Sequence, residues 1–165
     1  MKQKTRTLKI ALSGLVIASY VVVMYFTQSF AFGQYQIRLA TALYSMSYLY
    51  PFLVVPLALS NFLSNTIMGG LGIIDMIGGF LVGLLTAGSI YLIRKFNWSE
   101  WLVGLPILLF PGLIVPIWLS VLLHINYLVL MPSVLIGQII PAILGILIVK
   151  YLKNVLPKVG SPIKK

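Results

Sequence analysis

The sequence has no cysteine, and its acidic residues and histidine are limited to Asp75, Glu100 and His124 among 165 residues. Without cysteine there is no disulfide framework and no thiolate metal site. With two carboxylates and one imidazole, acid–base catalysis has little material. There are no paired carboxylates on one helix, no His-Glu-x-x-His, no phosphate-binding glycine–lysine loop and no nucleophile elbow. The chain is therefore not expected to be an enzyme, and its residues imply no cofactor and no metal. Any polar block long enough to fold alone is missing too, which excludes a soluble domain carried on a membrane anchor.

What fills the chain instead is apolar: 60% of residues are hydrophobic and 8% are charged. A soluble domain of this size has no interior large enough to hide that surface, so a lipid bilayer must be part of its solvent. The net charge of +10 raises the possibility of a nucleic-acid partner, but the distribution argues against one. Lys2, Lys4, Arg6 and Lys9 lie at the start, Lys150, Lys153, Lys158, Lys164 and Lys165 at the end, and Arg94 and Lys95 between apolar runs. These are the flanks where the positive-inside rule places cations. No polar platform accompanies them, so no nucleic-acid partner is expected. The basic, then apolar start is like a signal peptide, but its apolar run is too long and has no small-residue cleavage site. It reads as a retained first helix.

Taken in order, the chain predicts helices over about 8–28, 39–50, 52–68, 73–93, 101–123 and 127–151. The first is roughly 21 residues, enough to cross a hydrocarbon core of ~30 Å at 1.5 Å per residue. The second and third are short and separated by Pro51. Two short helices are favoured there over a re-entrant hairpin. Trp98 and Trp101 are expected interfacial anchors, and Pro106, Pro111, Pro116, Pro132 and Pro141 interrupt the last two runs. The expectation is one six-helix membrane domain over 1–153 and a basic cytoplasmic tail over 154–165. An even number of spans puts both termini on one side, and the cations make that side cytoplasmic. All cations but Arg38 then lie inside. Arg38, Asp75 and His124 converge on the extracellular end.

Several groups stand out against the apolar background. Asn61 and Asn65 are four residues apart and so share a helix face near its outer end. A primary amide is costly in hydrocarbon unless partnered, by neighbouring helices or by a polar ligand. The stretch after them, Met68-Gly69-Gly70-Leu71-Gly72-Ile73-Ile74-Asp75, is either a surface turn or a glycine-hinged loop over the bundle mouth. The loop reading is favoured. Gln138 falls about twelve residues past the outer turn, hence roughly 18 Å deep. There it either bonds a backbone group or floors a cavity. Trp118 lies above it, as core or as a stacking surface for a planar ligand. His124 and Asn126 mark the turn between the last two helices, and Arg38 and Asp75 could pair with each other or meet a ligand. In the first helix Ala11, Gly14 and Ala18 make a small-residue stripe, for internal packing or for docking a membrane partner. An ion-driven carrier would need a charged intramembrane relay, and no inverted repeat is visible. A polar pocket without an engine suggests that another subunit supplies the energy.

Three segments carry a family resemblance: Gln36-Ile37-Arg38-Leu39-Ala40-Thr41-Ala42-Leu43, the helix ending at Asn65, and Gly70-Leu71-Gly72-Ile73-Ile74-Asp75 with its following small-residue helix. They resemble the QueT family, substrate-binding S-components of energy-coupling factor (ECF) vitamin transporters assigned to queuosine precursors. The resemblance runs from the first helix to the last. It implies a six-helix S-component in the cell membrane that captures a deazapurine. Its partners would be a transmembrane T-subunit and two cytoplasmic ATPases. Taken together with the residues singled out above, the expected substrate site is Arg38, Asn61, Asn65, Asp75, Trp118, His124, Asn126 and Gln138, and the expected docking face is Ala11, Gly14 and Ala18. Three departures are notable. Thr41 stands where the family pattern has glutamate, Gly137-Gln138 where it has Gly-Glu, and Pro111 and Pro116 where it has asparagine and glycine. A carboxylate would suit the cationic aminomethyl group of 7-aminomethyl-7-deazaguanine. Its loss points to a less cationic relative or another flat heterocycle. The other readings are an S-component for a different vitamin-like heterocycle and a small membrane scaffold without transport.

Overall fold

A computed structural model describes residues 2–68 and 70–155. Its described residues form helices joined by short turns, with one longer non-helical segment over 33–38. α1 spans Lys2–Phe26 and is followed by a single turn, α2, Gln28–Ala31. A 3-10 helix, Leu39–Ser45, runs into the one-turn α3, Met46–Leu49. After a 3-10 turn at Pro51–Leu53 come α4, Val54–Ile67, and α5, Ile73–Lys95. A further 3-10 turn, Glu100–Val103, leads into α6, Gly104–Leu123, and α7 is Tyr127–Leu152.

Among the described residues, four helical stretches are long and apolar enough to cross a membrane: Thr5–Phe26, Ile73–Lys95, Glu100–Leu123 and Tyr127–Leu152. Pro51–Ile67 is apolar but shorter. The expected helix over 39–50 is instead a 3-10 segment joined to one α-turn. Within it Thr41 Oγ1 lies 2.7 Å from the Arg38 carbonyl and Ser47 Oγ 2.7 Å from the Tyr44 carbonyl, both three residues back. At the far end of α3, Arg94 donates to the main-chain carbonyls of Tyr48 and Leu49. It thereby satisfies carbonyls that a helix C-terminus leaves orphaned. Of the expected basic tail over 154–165, everything from 156 onward lies outside the described residues, as does Gly69.

Glycines set how closely the long helices pack. A Cβ on Gly112 would meet Leu135 Cδ2 at 2.3 Å, one on Gly145 would meet Ile107 Cδ1 at 2.4 Å, and one on Gly104 would meet Ile146 Cδ1 at 2.8 Å. α6 and α7 thus interlock three times, each glycine receiving a branched side chain of its partner. Without a hydrophobic drive between helices in lipid, such close packing is what holds them. α5 repeats the device toward α4, where Gly83 faces the Ala58 main chain and Gly79 faces Asn61 and Asn65. α1 buries Val16, Tyr20 and Met24, at four-residue spacing, and leaves Ala11, Gly14 and Ala18 exposed. The bundle has a basic end, where Lys153 pairs with Glu100 and Lys150 lies over Trp101. The opposite end carries residues 27–38, the turn from Ile67 to Ile73 and the turn at His124.

Candidate functional site

At that second end a cleft of about 720 Å³ opens between the segment 28–36, the α4–α5 turn and the start of α7. Phe32, Gln36, Gly70, Leu71 and Ile125 are among its walls. Gln36 and Val134 also line a second, much smaller space beneath it, about 10 Å³, shared with Arg38, Thr41, Tyr44, Asn61 and Gln138. That volume holds about one water. The cleft is therefore floored by a buried polar cluster, and Gln36 is the partition between the two.

Arg38 is the centre of the cluster. It is only 5% exposed. Its Nη1 donates to Asn61 Oδ1 and Asn65 Oδ1, each at 3.3 Å, and its guanidinium lies 5.0 Å from the centroid of the Phe32 ring. The four-residue spacing of the asparagines on α4 brings both amide oxygens to one guanidinium. Each amide spends its nitrogen elsewhere. Asn61 Nδ2 donates to Tyr44 Oη at 2.9 Å and to the Gly79 carbonyl at 3.0 Å, and Asn65 Nδ2 donates to the Asp75 carbonyl at 3.1 Å. Tyr44 Oη in turn lies 3.4 Å from Tyr20 Oη, which links the cluster to α1. Among the described residues the one ion pair is Glu100–Lys153, so Arg38 and Asp75 are joined through Asn65 and not directly.

Asp75 is 2% exposed and sits in the first turn of α5, whose positive end suits a carboxylate. Trp118 Nε1 donates to its Oδ1 at 3.0 Å. The indole packs on Gly78, where a Cβ would meet the ring at 2.9 Å. The turn before Asp75 is tight: Gly70 N donates to the Asn65 carbonyl, and Gly72 has φ of +90°, a conformation that glycine adopts without a Cβ clash. This stretch forms one wall of the cleft. The segment that crosses the mouth is 33–38. It is held on α7 by Gln138, whose Nε2 donates to the Gln36 carbonyl at 3.0 Å and whose Oε1 lies 3.0 Å from Thr41 Oγ1. Gln36 takes a left-handed φ of +46°, a strain of about 1–2 kcal/mol for a residue with a side chain.

Of the sequence-derived site residues, Arg38, Asn61, Asn65, Asp75 and Gln138 are buried together, with Trp118 at their edge. His124 and Asn126 stand apart. His124 is exposed and left-handed (φ 53°) at the end of α6, and Asn126 caps α7 by accepting from Leu128 N at 2.8 Å. Phe32, Gln36, Tyr20 and Tyr44 belong to the cluster or its walls and were not singled out by the sequence, because loop backbone and distant aromatics carry no local signal. Thr41, noted only as a departure, touches Gln138.

Residues 10–154 match the family model described as QueT transporter. The chain belongs to the QueT transporter family. No curated protein and no solved structure matches it. Membership makes the chain a multi-pass membrane protein with a role in transport and not an enzyme. Within this QueT family member, Thr41 and Gln138 contact each other beneath the cleft, in a small space where the charged side chain is that of Arg38.

Proposed function

We propose that this chain is the substrate-binding S-component of an ECF-type importer. In this reading it captures a queuosine-precursor-like deazapurine in the cleft at the extracellular end, with both termini in the cytoplasm. The observation that carries the reading is the buried cluster of Arg38, Asn61, Asn65 and Gln138 directly beneath an open cleft. Buried ionisable and amide groups in a membrane bundle are costly and mark substrate sites more often than scaffolds. Amides with both donor and acceptor atoms suit the edges of a purine-like ring, and Phe32, a wall of the cleft, offers a flat surface for stacking. Arg38 anchors the ligand, and Asp75 fixes Trp118. His124 and Asn126 stand apart from the cleft, whose wall beside them is Leu123 and Ile125.

The bundle holds no engine of its own, so a T-subunit and two cytoplasmic ATPases would drive its reorientation. Ala11, Gly14 and Ala18 form the docking face on α1. A Cβ on Gly14 would meet nothing within 4 Å, as suits a surface kept for another helix. Binding to the purified protein tests the reading. A 7-deazaguanine is expected to bind one to one, and Asn61→Leu is expected to weaken it by about tenfold or more, as loss of a buried polar partner does. Equal binding by both forms would place the ligand elsewhere.

A further inference from the structure

Arg38 has more bonding capacity than the protein uses. Both hydrogen bonds that it donates run through Nη1, and both acceptors are neutral amide oxygens. Its Nε is buried with no partner. The Nε–Nη2 edge is the side of a guanidinium that pairs with a carboxylate through two parallel bonds. The small space that Arg38 lines contains no acidic residue: its polar walls are Gln36, Thr41, Tyr44, Asn61 and Gln138. Asp75 does not supply the missing charge, since its Oδ1 accepts from Trp118 and its carboxylate sits at the positive end of α5. An isolated buried cation is expensive in a membrane bundle, and so is a buried donor left unpaired. Two costs at one residue, next to a cleft, describe a receptor half for an anion.

We infer that the molecule taken by this site is a flat heterocycle carrying a carboxylate, which Arg38 receives on its Nε–Nη2 edge. The inference rests on the transport reading above and narrows its ligand. The carboxylate enters from the cleft past Gln36, whose carbonyl tether to Gln138 is the single side-chain bond to be released. The ring then lies in the cleft beside Phe32. An aminomethyl group in the same place would set a second cation against Arg38 with no acid in the wall.

The test is equilibrium binding of three probes to the purified protein: 7-carboxy-, 7-cyano- and 7-aminomethyl-7-deazaguanine. The carboxylate is expected to bind roughly 10- to 100-fold more tightly than the aminomethyl compound, the range of a charge-assisted pair against its loss. Arg38→Gln is expected to abolish that preference, the carboxylate losing more affinity than the neutral cyano compound. Arg38→Lys, which keeps the charge but not the fork, is expected to fall between. Should Arg38→Gln fail to fold, the ranking on the unaltered protein decides. Tightest binding of the aminomethyl compound, or a ranking unchanged by Arg38→Gln, overturns this inference and leaves the deazapurine reading standing. Binding of none of the three overturns both.

Discussion

Gly137 and Tyr35 touch so closely that a Cβ on Gly137 would stand 1.7 Å from the Tyr35 carbonyl oxygen. The obstacle is main chain and cannot swing aside. The next residue, Gln138, bonds the next carbonyl, that of Gln36. A missing side chain and an amide side chain, adjacent on α7, therefore seat the segment that separates the cleft from the buried cluster.

Gly137→Ala follows from that contact. The methyl must push residues 35–36 off α7 and stretch the Gln138–Gln36 bond, at about 1–3 kcal/mol for overpacking. Thermal unfolding in detergent is expected to show a lower midpoint. Ligand affinity is expected to fall with it, because the partition moves.

Asn61→Leu removes a group with three partners, Arg38, Tyr44 and the Gly79 carbonyl. All three are left short of a bond inside the buried cluster. The expected loss is about 2–4 kcal/mol, larger than for an exposed asparagine. Thermal or denaturant unfolding of the purified variant measures it.

Gln138→Glu puts a carboxylate in the space that Arg38 lines. It also exchanges a donor to the Gln36 carbonyl for an acceptor, loosening residues 35–36. The expected outcome is a shift of ligand preference toward cationic heterocycles by about tenfold, the scale of one charge-assisted bond. Competition binding with the aminomethyl and carboxy compounds reads the shift.

Gly14→Leu and Ala18→Leu alter an exposed face of α1, opposite Val16, Tyr20 and Met24. Ligand binding and unfolding midpoint are expected to stay within about 0.5 kcal/mol, as surface changes do. Co-purification with an energising T-subunit and ATPases is expected to drop. Normal yield of the complex would move the docking face elsewhere.

The long helices were legible because each is a long apolar run between charged or turn residues. The run expected from 73 ends at Lys95, and the run expected at 127–151 is Tyr127–Leu152. α1 begins earlier than its apolar stretch, since lysine, arginine and glutamine are good helix formers and the charged start continues the helix. The segment 39–50 misled because its alanines and leucines read as helix. A 3-10 helix and an α-helix share that composition, and no periodicity in a segment this short separates them. In the site, the Asn61–Asn65 spacing was readable as one face. The Gln138–Gln36 bond spans 102 positions. No local pattern encodes it. The sequence left Arg38 and Asp75 free to pair, and only the fold could insert Asn65 between them.

The most direct measurement is uptake of a labelled 7-deazaguanine by cells that make this chain, with and without the T-subunit and ATPases. The account predicts accumulation only when chain and energising subunits are present together, and its loss with Asn61→Leu. Accumulation by the chain alone, or none with the complete assembly, would contradict it.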